Sequence, residues 1–406
     1  MDPVFVATGT AVFTGVILTL VVILSTISKK LSPGGTVTID INDGAKTLTV
    51  PPGQSLLSSL ADAKIFIPSA CGGGGTCAMC KCKILEGGGS ILPTETGLIK
   101  KAEQREGTRL TCQVKVREDL KIEVEEDVLE VKKWECTVKS NDLVATFITE
   151  LILELPEGEN LDFKAGGYIQ IDIPKYNVQF KEYNIPEMYK PDWIATKLIE
   201  LGCKNEEETF RAYCMANHPA EGNRVMLNVR IANPPRGMDV PPGISSSYIF
   251  DLKPGDKATI SGPYGEFFAQ KTEREMVYIG GGAGMAPMRS HIFDLFHTNH
   301  TNRKVSFWYG ARSKREIFYE DDFTTIEKEY PNFTFHIGLS EPLPEDNWDG
   351  PVGFIHQVCL KNYLENHEDP TEIEYYLCGP PMMIAAVKGM LHDLGVEPEM
   401  IAFDEF

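Results

Sequence analysis

Cys71, Cys77, Cys80, Cys82 and Cys112 crowd one stretch of a chain that has ten cysteines in all. Their order is Cys-x5-Cys-x2-Cys, with Cys82 two positions on and Cys112 further downstream. A chain of 406 residues with 42% hydrophobic content can bury cores without cross-links, so clustered thiols point to metal binding in a reducing compartment. Between the first two cysteines run Gly72 to Gly75 and Thr76. Consecutive glycines open backbone conformations closed to other residues. A loop needs that freedom to wrap inorganic sulfides and aim its amides at them, whereas a plain linker would not carry cysteine at both edges. Cys71, Cys77, Cys80 and Cys112 in this order suit a 2Fe-2S cluster. Structural zinc is the competing reading, but it usually takes two short cysteine pairs, and here one CxxC has distant partners on both sides. Cys82 sits in KCKIL, an apparent strand, and reads as a neighbour rather than a ligand.

A second set of residues lies beyond position 200. RAYC holds Arg211, Tyr213 and Cys214; NVRI holds Asn228 and Arg230; PPGISSSYIF holds Gly243, Ser245 and Ser246. A glycine opening a helix, with free amides and hydroxyls, can hold an anion. An arginine upstream supplies a charge-assisted fork to a pyrophosphate, and a tyrosine face can stack on a flavin ring. The run GGGAGMAP contains Gly282, Gly284 and Pro287 at the carboxyl end of an apolar strand, where open α/β sheets bind ligands. Cys378, Gly379 and Pro380 close a later strand, and the chain ends in FDEF with Asp404 and Phe406. Each motif is weak alone; GGGAGMAP together with CGPPMM is a strong pair.

These residues need elements to hold them. Val4 to Ile27 carries no charge, enough to cross a hydrocarbon core of about 30 Å at about 1.5 Å per residue. A signal peptide would need a basic start, whereas Lys29 and Lys30 follow the stretch and place the bulk of the chain in the cytoplasm. Residues 1–30 are therefore expected to be a transmembrane anchor helix. Residues 31–130 follow as the cluster domain: Val37, Ile39 and Ile41 alternate in a strand, Asn42-Asp43-Gly44 turn a hairpin, SLLSSLADA makes a short helix, and Leu120, Ile122 and Val124 close with a strand. Residues 131–269 alternate through strands, with an irregular insertion from 175 to 210 holding one helical run, WIATKLIELG. Residues 270–406 alternate strands with helices, the first amphipathic, which implies a parallel sheet covered on both faces. A formal charge of −19 argues against nucleic acid but leaves room for an anionic cofactor held by backbone amides.

Residues 36–126 resemble a β-grasp ferredoxin, with a first gap like that of adrenodoxin-like and reductase-linked members. Residues 131–406 resemble the ferredoxin–NADP reductase family. In that family an R-x-Y-S motif binds flavin, which implies roles for Arg211 at the pyrophosphate, Tyr213 on the isoalloxazine and Cys214 near its N5. Cysteine in place of serine is a departure, since a thiol is the weaker donor. The same resemblance implies that Gly243 and Ser246 form the pyrophosphate turn. It also implies that Gly282, Gly284 and Pro287 form a G-x-G-x-x-P nicotinamide loop, with Cys378, Gly379 and Pro380 beside the nicotinamide. Asp404 and Phe406 stand where relatives put an acid and an aromatic against the flavin. Arg312, Lys314 and Arg315 in GARSKREIF lie where a 2′-phosphate would be read, yet such loops also resemble those of NADH-dependent oxygenase reductases, and NADH is the expected donor. The whole order resembles the F-subunit family of the Na⁺-translocating NADH:quinone reductases. The implied fold class is multidomain α+β and α/β: a transmembrane helix, a β-grasp ferredoxin domain, an antiparallel β-barrel FAD domain and a parallel α/β NADH domain. The implied activity is hydride transfer from NADH to FAD, then single electrons through the 2Fe-2S cluster to other subunits of a bacterial inner-membrane complex that exports Na⁺ and reduces ubiquinone. A reductase feeding a mono- or dioxygenase is the alternative.

Overall fold

The computed structural model describes residues 13–21, 35–234 and 240–404. Residues 13–21 are helical with exposed apolar side chains such as Phe13 and Leu18. The rest of the expected anchor at 4–27 lies outside the described residues. Among the described residues no helix is long and apolar enough to cross a membrane. The chain divides into two compact units, Met1–Glu130 and Val131–Phe406.

The strands of the first unit are β1 (Val37–Ile41), β2 (Lys46–Val50), β3 (Lys81–Glu86), β4 (Thr108–Leu110) and β5 (Leu120–Glu123). They form a five-stranded mixed sheet of order β2-β1-β5-β3-β4. Alternation in β1 buries Val37, Ile39 and Ile41. Asn42 and Asp43, both at φ +51°, turn the chain into β2. The helix Leu56–Asp62 starts at Ser55, whose hydroxyl accepts from the Ser58 amide, and it buries Leu56, Leu57 and Leu60. Glu95 and Arg109 form a buried ion pair at 2.7 Å. Burial alone would raise the Glu95 carboxyl; Arg109 and the amides of Leu110 and Leu92 outweigh it and hold it below the usual carboxylate range. The pair ties the 88–95 segment to the strand that leads into Cys112, because Arg109 also donates to the carbonyls of Gly88 and Gly89.

The second unit holds two large sheets. The first comprises β6 (Lys132–Ala145), β7 (Ile148–Glu154), β8 (Tyr168–Ile173), β11 (Thr209–Cys214), β12 (Arg224–Arg230) and β13 (Lys257–Tyr264). These six run antiparallel in the order β11-β8-β13-β6-β7-β12. The sheet's edges meet where Met215 bridges Leu227 and the Ala216 amide donates to the Met226 carbonyl at 2.7 Å, so it closes as a barrel. The second sheet comprises β14 (Met276–Gly281), β15 (Val305–Ala311), β16 (Phe333–Leu339), β17 (Glu374–Cys378) and β18 (Ile401–Asp404). It is parallel, of order β16-β15-β14-β17-β18.

Three sequence expectations are corrected here. The insertion from 175 to 210 is not irregular: β9 (Tyr176–Gln179) and β10 (Gly202–Asn205) pair as a ribbon, and Val178, Phe180, Tyr183, Trp193, Leu198 and Cys203 join the barrel core. Its helical run breaks into Lys190–Ala195 and a single turn Leu198–Glu200, because Lys197 between them is left-handed at φ +58°. The helix Met285–Phe293 is not amphipathic, since every residue in it is buried, Arg289 and His291 included. It packs on the parallel sheet with one side and on the barrel with the other: Arg289 meets Glu221 and the Ala216 carbonyl, and Ser290 donates to the Asn217 carbonyl. The short last strand β18, which sequence analysis did not predict, sets Asp404 beside Cys378 in register.

Candidate functional site

In the first unit the four expected ligands come as two pairs. Cys71 and Cys77 have sulfurs 3.4 Å apart, and Cys80 and Cys112 hydrogen-bond to each other. All four are free thiols. Among the described residues no three His, Cys, Asp or Glu side chains gather as they would around one metal ion. Two thiolate pairs suit a cluster of two irons better than a single tetrahedral zinc. Within each pair one thiol is lowered and its partner, Cys77 or Cys80, is raised. Burial would raise the Cys71 thiol, but the amides of Thr76 and Cys77 overcome it and bring it down to about 6. Cys112 is brought to about 7, mainly by its bond to Cys80. Ser69 accepts from the Gly73 amide at 3.1 Å and Gln113 donates toward Cys112 at 3.7 Å. Sequence reading missed both; their adjacency to Cys71 and Cys112 was the available signal. Cys82 is 5% exposed on β3 and burial pushes it up to about 12, as befits a packed thiol.

In the second unit Arg211 and Tyr213 share one face of β11 and Cys214 lies on the other, each half-buried. Tyr213 donates to Ser245 at 2.9 Å, which joins the strand to the start of the helix Ile244–Asp251. That helix begins at Gly243 with no side-chain cap, leaving its first amides for a ligand. A Cβ at Gly243 would lie 2.6 Å from that of Ala232, so the turn admits only glycine without a shift. Ser246 is already committed: it donates to the Gly243 carbonyl and accepts from the Ala232 amide, so it shapes the turn. Asn228 is committed only in part, since its side-chain oxygen is buried without a partner. Its amide nitrogen donates to Tyr319 at 2.7 Å, and Tyr319 donates to Glu150. Arg230 ends β12 with its side chain exposed. Arg211 turns onto Thr209 and the Phe210 carbonyl.

The nucleotide loops meet at one point. A Cβ at Gly284 would lie 2.1 Å from the Cys378 carbonyl oxygen, and one at Gly379 would lie 2.9 Å from that of Gly281. Glycine lets these two strand ends touch, and Pro287 lies within the buried helix that follows. Pro380 starts the helix Pro381–Asp393. Cys214 reaches the same place from the barrel, donating to Asp404 at 2.9 Å. Burial, with help from Asp404, lifts both Cys214 and Cys378 well above the ordinary thiol range, so both keep their protons. Phe406 lies outside the described residues.

Comparison with known proteins agrees with this layout. Residues 39–117 match a 2Fe-2S iron-sulfur cluster binding domain, 191–268 an oxidoreductase FAD-binding domain and 278–389 an oxidoreductase NAD-binding domain. Over 408 aligned residues, all of both chains, the sequence is 56% identical to the F subunit of the Na(+)-translocating NADH-quinone reductase of Actinobacillus succinogenes. It is 57% identical to the F subunit of the Neisseria meningitidis enzyme over 98% of each chain. The chain belongs to this F-subunit family. It is thus an oxidoreductase of the NADH-quinone reductase class, with domains for 2Fe-2S, FAD and NAD. Its fold is shared with other reductases. The Amycolatopsis cytochrome P450 reductase GcoB superposes with a TM-score of 0.64, at 23% identity, over 91% of this chain and 99% of its own. The ferredoxin reductase in carbazole 1,9a-dioxygenase gives 0.59 at 25% identity, over 91% and 98%.

Proposed function

We propose that this chain is the electron-input subunit of a Na⁺-pumping NADH:quinone oxidoreductase, passing electrons from NADH to partner subunits in the membrane. The observation that carries the redox reading is the meeting of Cys214, Asp404 and Cys378, which brings the flavin strand and the nicotinamide strands to one point. The choice of complex rests on the family.

Bound FAD accepts a hydride and gives up electrons singly, and a 2Fe-2S cluster carries one electron at a time. The chain's own residues prepare for both. Tyr213 offers a ring face whose hydroxyl is fixed by Ser245. The uncapped start of Ile244–Asp251 would take the pyrophosphate, with Arg211 its cation by the family resemblance. Cys214 keeps its proton and donates a hydrogen bond to Asp404, so a neutral thiol rather than a thiolate would border the flavin. The Gly284–Cys378 contact closes up the two strand ends where NADH would bind. In the other unit, Cys71, Cys77, Cys80 and Cys112 would hold the cluster. Val4 to Ile27 anchors the chain in the bacterial inner membrane as a single pass, with both units in the cytoplasm. One uncharged helix offers Na⁺ no path, so the pump resides in partner subunits.

Isolating the native complex from membranes and measuring Na⁺-stimulated NADH:quinone activity tests this reading. Activity indifferent to Na⁺, with turnover of an added oxygenase, would favour the reductase alternative. Tyr213→Ala is expected to lower FAD retention; unchanged flavin content removes the stacking role.

A further inference from the structure

The insertion between β8 and β11 reaches the loop that follows β15. Asp192 pairs with Arg315 at 3.0 Å, and its neighbour Trp193 donates to the Thr146 carbonyl at 2.7 Å. Thr146 in turn donates to Glu316 through both its amide and its hydroxyl. Glu316 pairs with Arg312 at 3.0 Å, and the Arg312 guanidinium lies 5.7 Å from the centre of the Phe147 ring, which itself packs on Trp193. Two adjacent insertion residues therefore grip the 312–316 loop by two routes.

That loop has a particular place in a dinucleotide fold. In a parallel sheet of order β16-β15-β14-β17-β18, the carboxyl end of the second strand reads the adenosine ribose: an acid there suits a 2′-hydroxyl, and a free arginine suits a 2′-phosphate. Arg312, Lys314 and Arg315 would fit a 2′-phosphate by residue type alone. Two of the three are held by carboxylates, Arg315 by Asp192 and Arg312 by Glu316. The Asp192–Arg315 pair is about a quarter exposed on each side (26% and 27%), so it adds little to stability, and its consequence is electrostatic.

We propose that the insertion sets coenzyme choice: Asp192 holds Arg315 away from a 2′-phosphate, and together with Glu316 it makes the loop select NADH over NADPH. This rests on the reading of the second unit as an NADH reductase, but the two fail separately. Asp192 is a positioning residue, acting through Arg315.

The test is the ratio of kcat/KM for NADPH to that for NADH, measured as flavin reduction by the full-length holoprotein. Asp192→Asn is expected to raise the ratio about tenfold by freeing a bidentate guanidinium, with flavin content unchanged. Adding Arg315→Ala to it should abolish the gain. Arg315→Gln alone leaves the Asp192 carboxylate unneutralised and should lower the ratio, so the test survives if one variant folds poorly. A ratio unmoved in Asp192→Asn, a gain that persists in the double variant, or a ratio that rises in Arg315→Gln overturns the proposal. Absence of NADH-driven flavin reduction in the unaltered protein would instead overturn the functional reading.

Discussion

The two glycine-rich loops look alike in sequence and use glycine for different reasons. In the cluster loop the need is conformational: Gly72, Gly73 and Gly75 sit at φ +64°, +87° and +74°. Ala78 follows at +57° between two of the cysteines, an arrangement that costs about 1–3 kcal/mol and persists where the surroundings impose it. In the nucleotide loop the need is mainly proximity. Only Gly282 is left-handed there, at +58°, whereas Gly284 has no space for a side chain against the Cys378 carbonyl. One loop bends around a ligand; the other lets two strand ends touch.

This difference can be broken experimentally. The largest effect is expected from Cys112→Ala, which should abolish the cluster's electron paramagnetic resonance signal while NADH still bleaches the flavin; persistence of the signal would mean the ligand set is wrong. Next comes Gly284→Ala. Its Cβ would meet backbone, which cannot give way cheaply, so the second unit should lose about 1–3 kcal/mol by denaturant unfolding, and flavin reduction by NADH should slow, with the cluster intact. Gly75→Ala should act on the other side only. A left-handed alanine costs about 1–2 kcal/mol, and its Cβ would meet the flexible end of Gln113, so cluster content should fall moderately while NADH-to-flavin rates hold. Gly74→Ala is the control: its backbone is not left-handed and its nearest contact is an ordinary 3.4 Å, so iron content should match the unaltered protein. Equal damage from Gly74→Ala and Gly75→Ala would mean that conformation is not what that loop needs. The smallest effect is expected from Cys214→Ser, a modest shift in flavin midpoint potential. No shift would remove the thiol from the flavin's neighbourhood.

Much of the site was legible because its chemistry is local. The thiols at 71, 77 and 80 share one loop, and RAYC alternates along one strand, so spacing alone places them. What escaped sequence reading depends on pairs far apart in the chain. Asn228 is expected among the cofactor residues, and its amide nitrogen is tied to Tyr319, 91 positions away, while its oxygen stays buried without a partner. Ser246 is expected in the pyrophosphate turn, and its hydroxyl bonds within that turn. The insertion looks irregular because its strands are four residues each and its apolar residues face a barrel that local periodicity does not reveal. β18 is equally short, and only its pairing with β17 makes it a strand.

By itself, then, the chain's order of residues determined the cluster ligands as candidates, the succession of cluster, flavin and nucleotide modules, and the family resemblance, since all of these rest on residue type and spacing. Tertiary structure decided which polar groups remain available. It closed the barrel at Met215 and Leu227, set Cys214 against Asp404, and placed Asp192 on Arg315. The physical reason is the same in each case. A hydrogen bond or ion pair forms wherever folding brings two groups within about 3 Å, and that distance is a property of packing rather than of sequence.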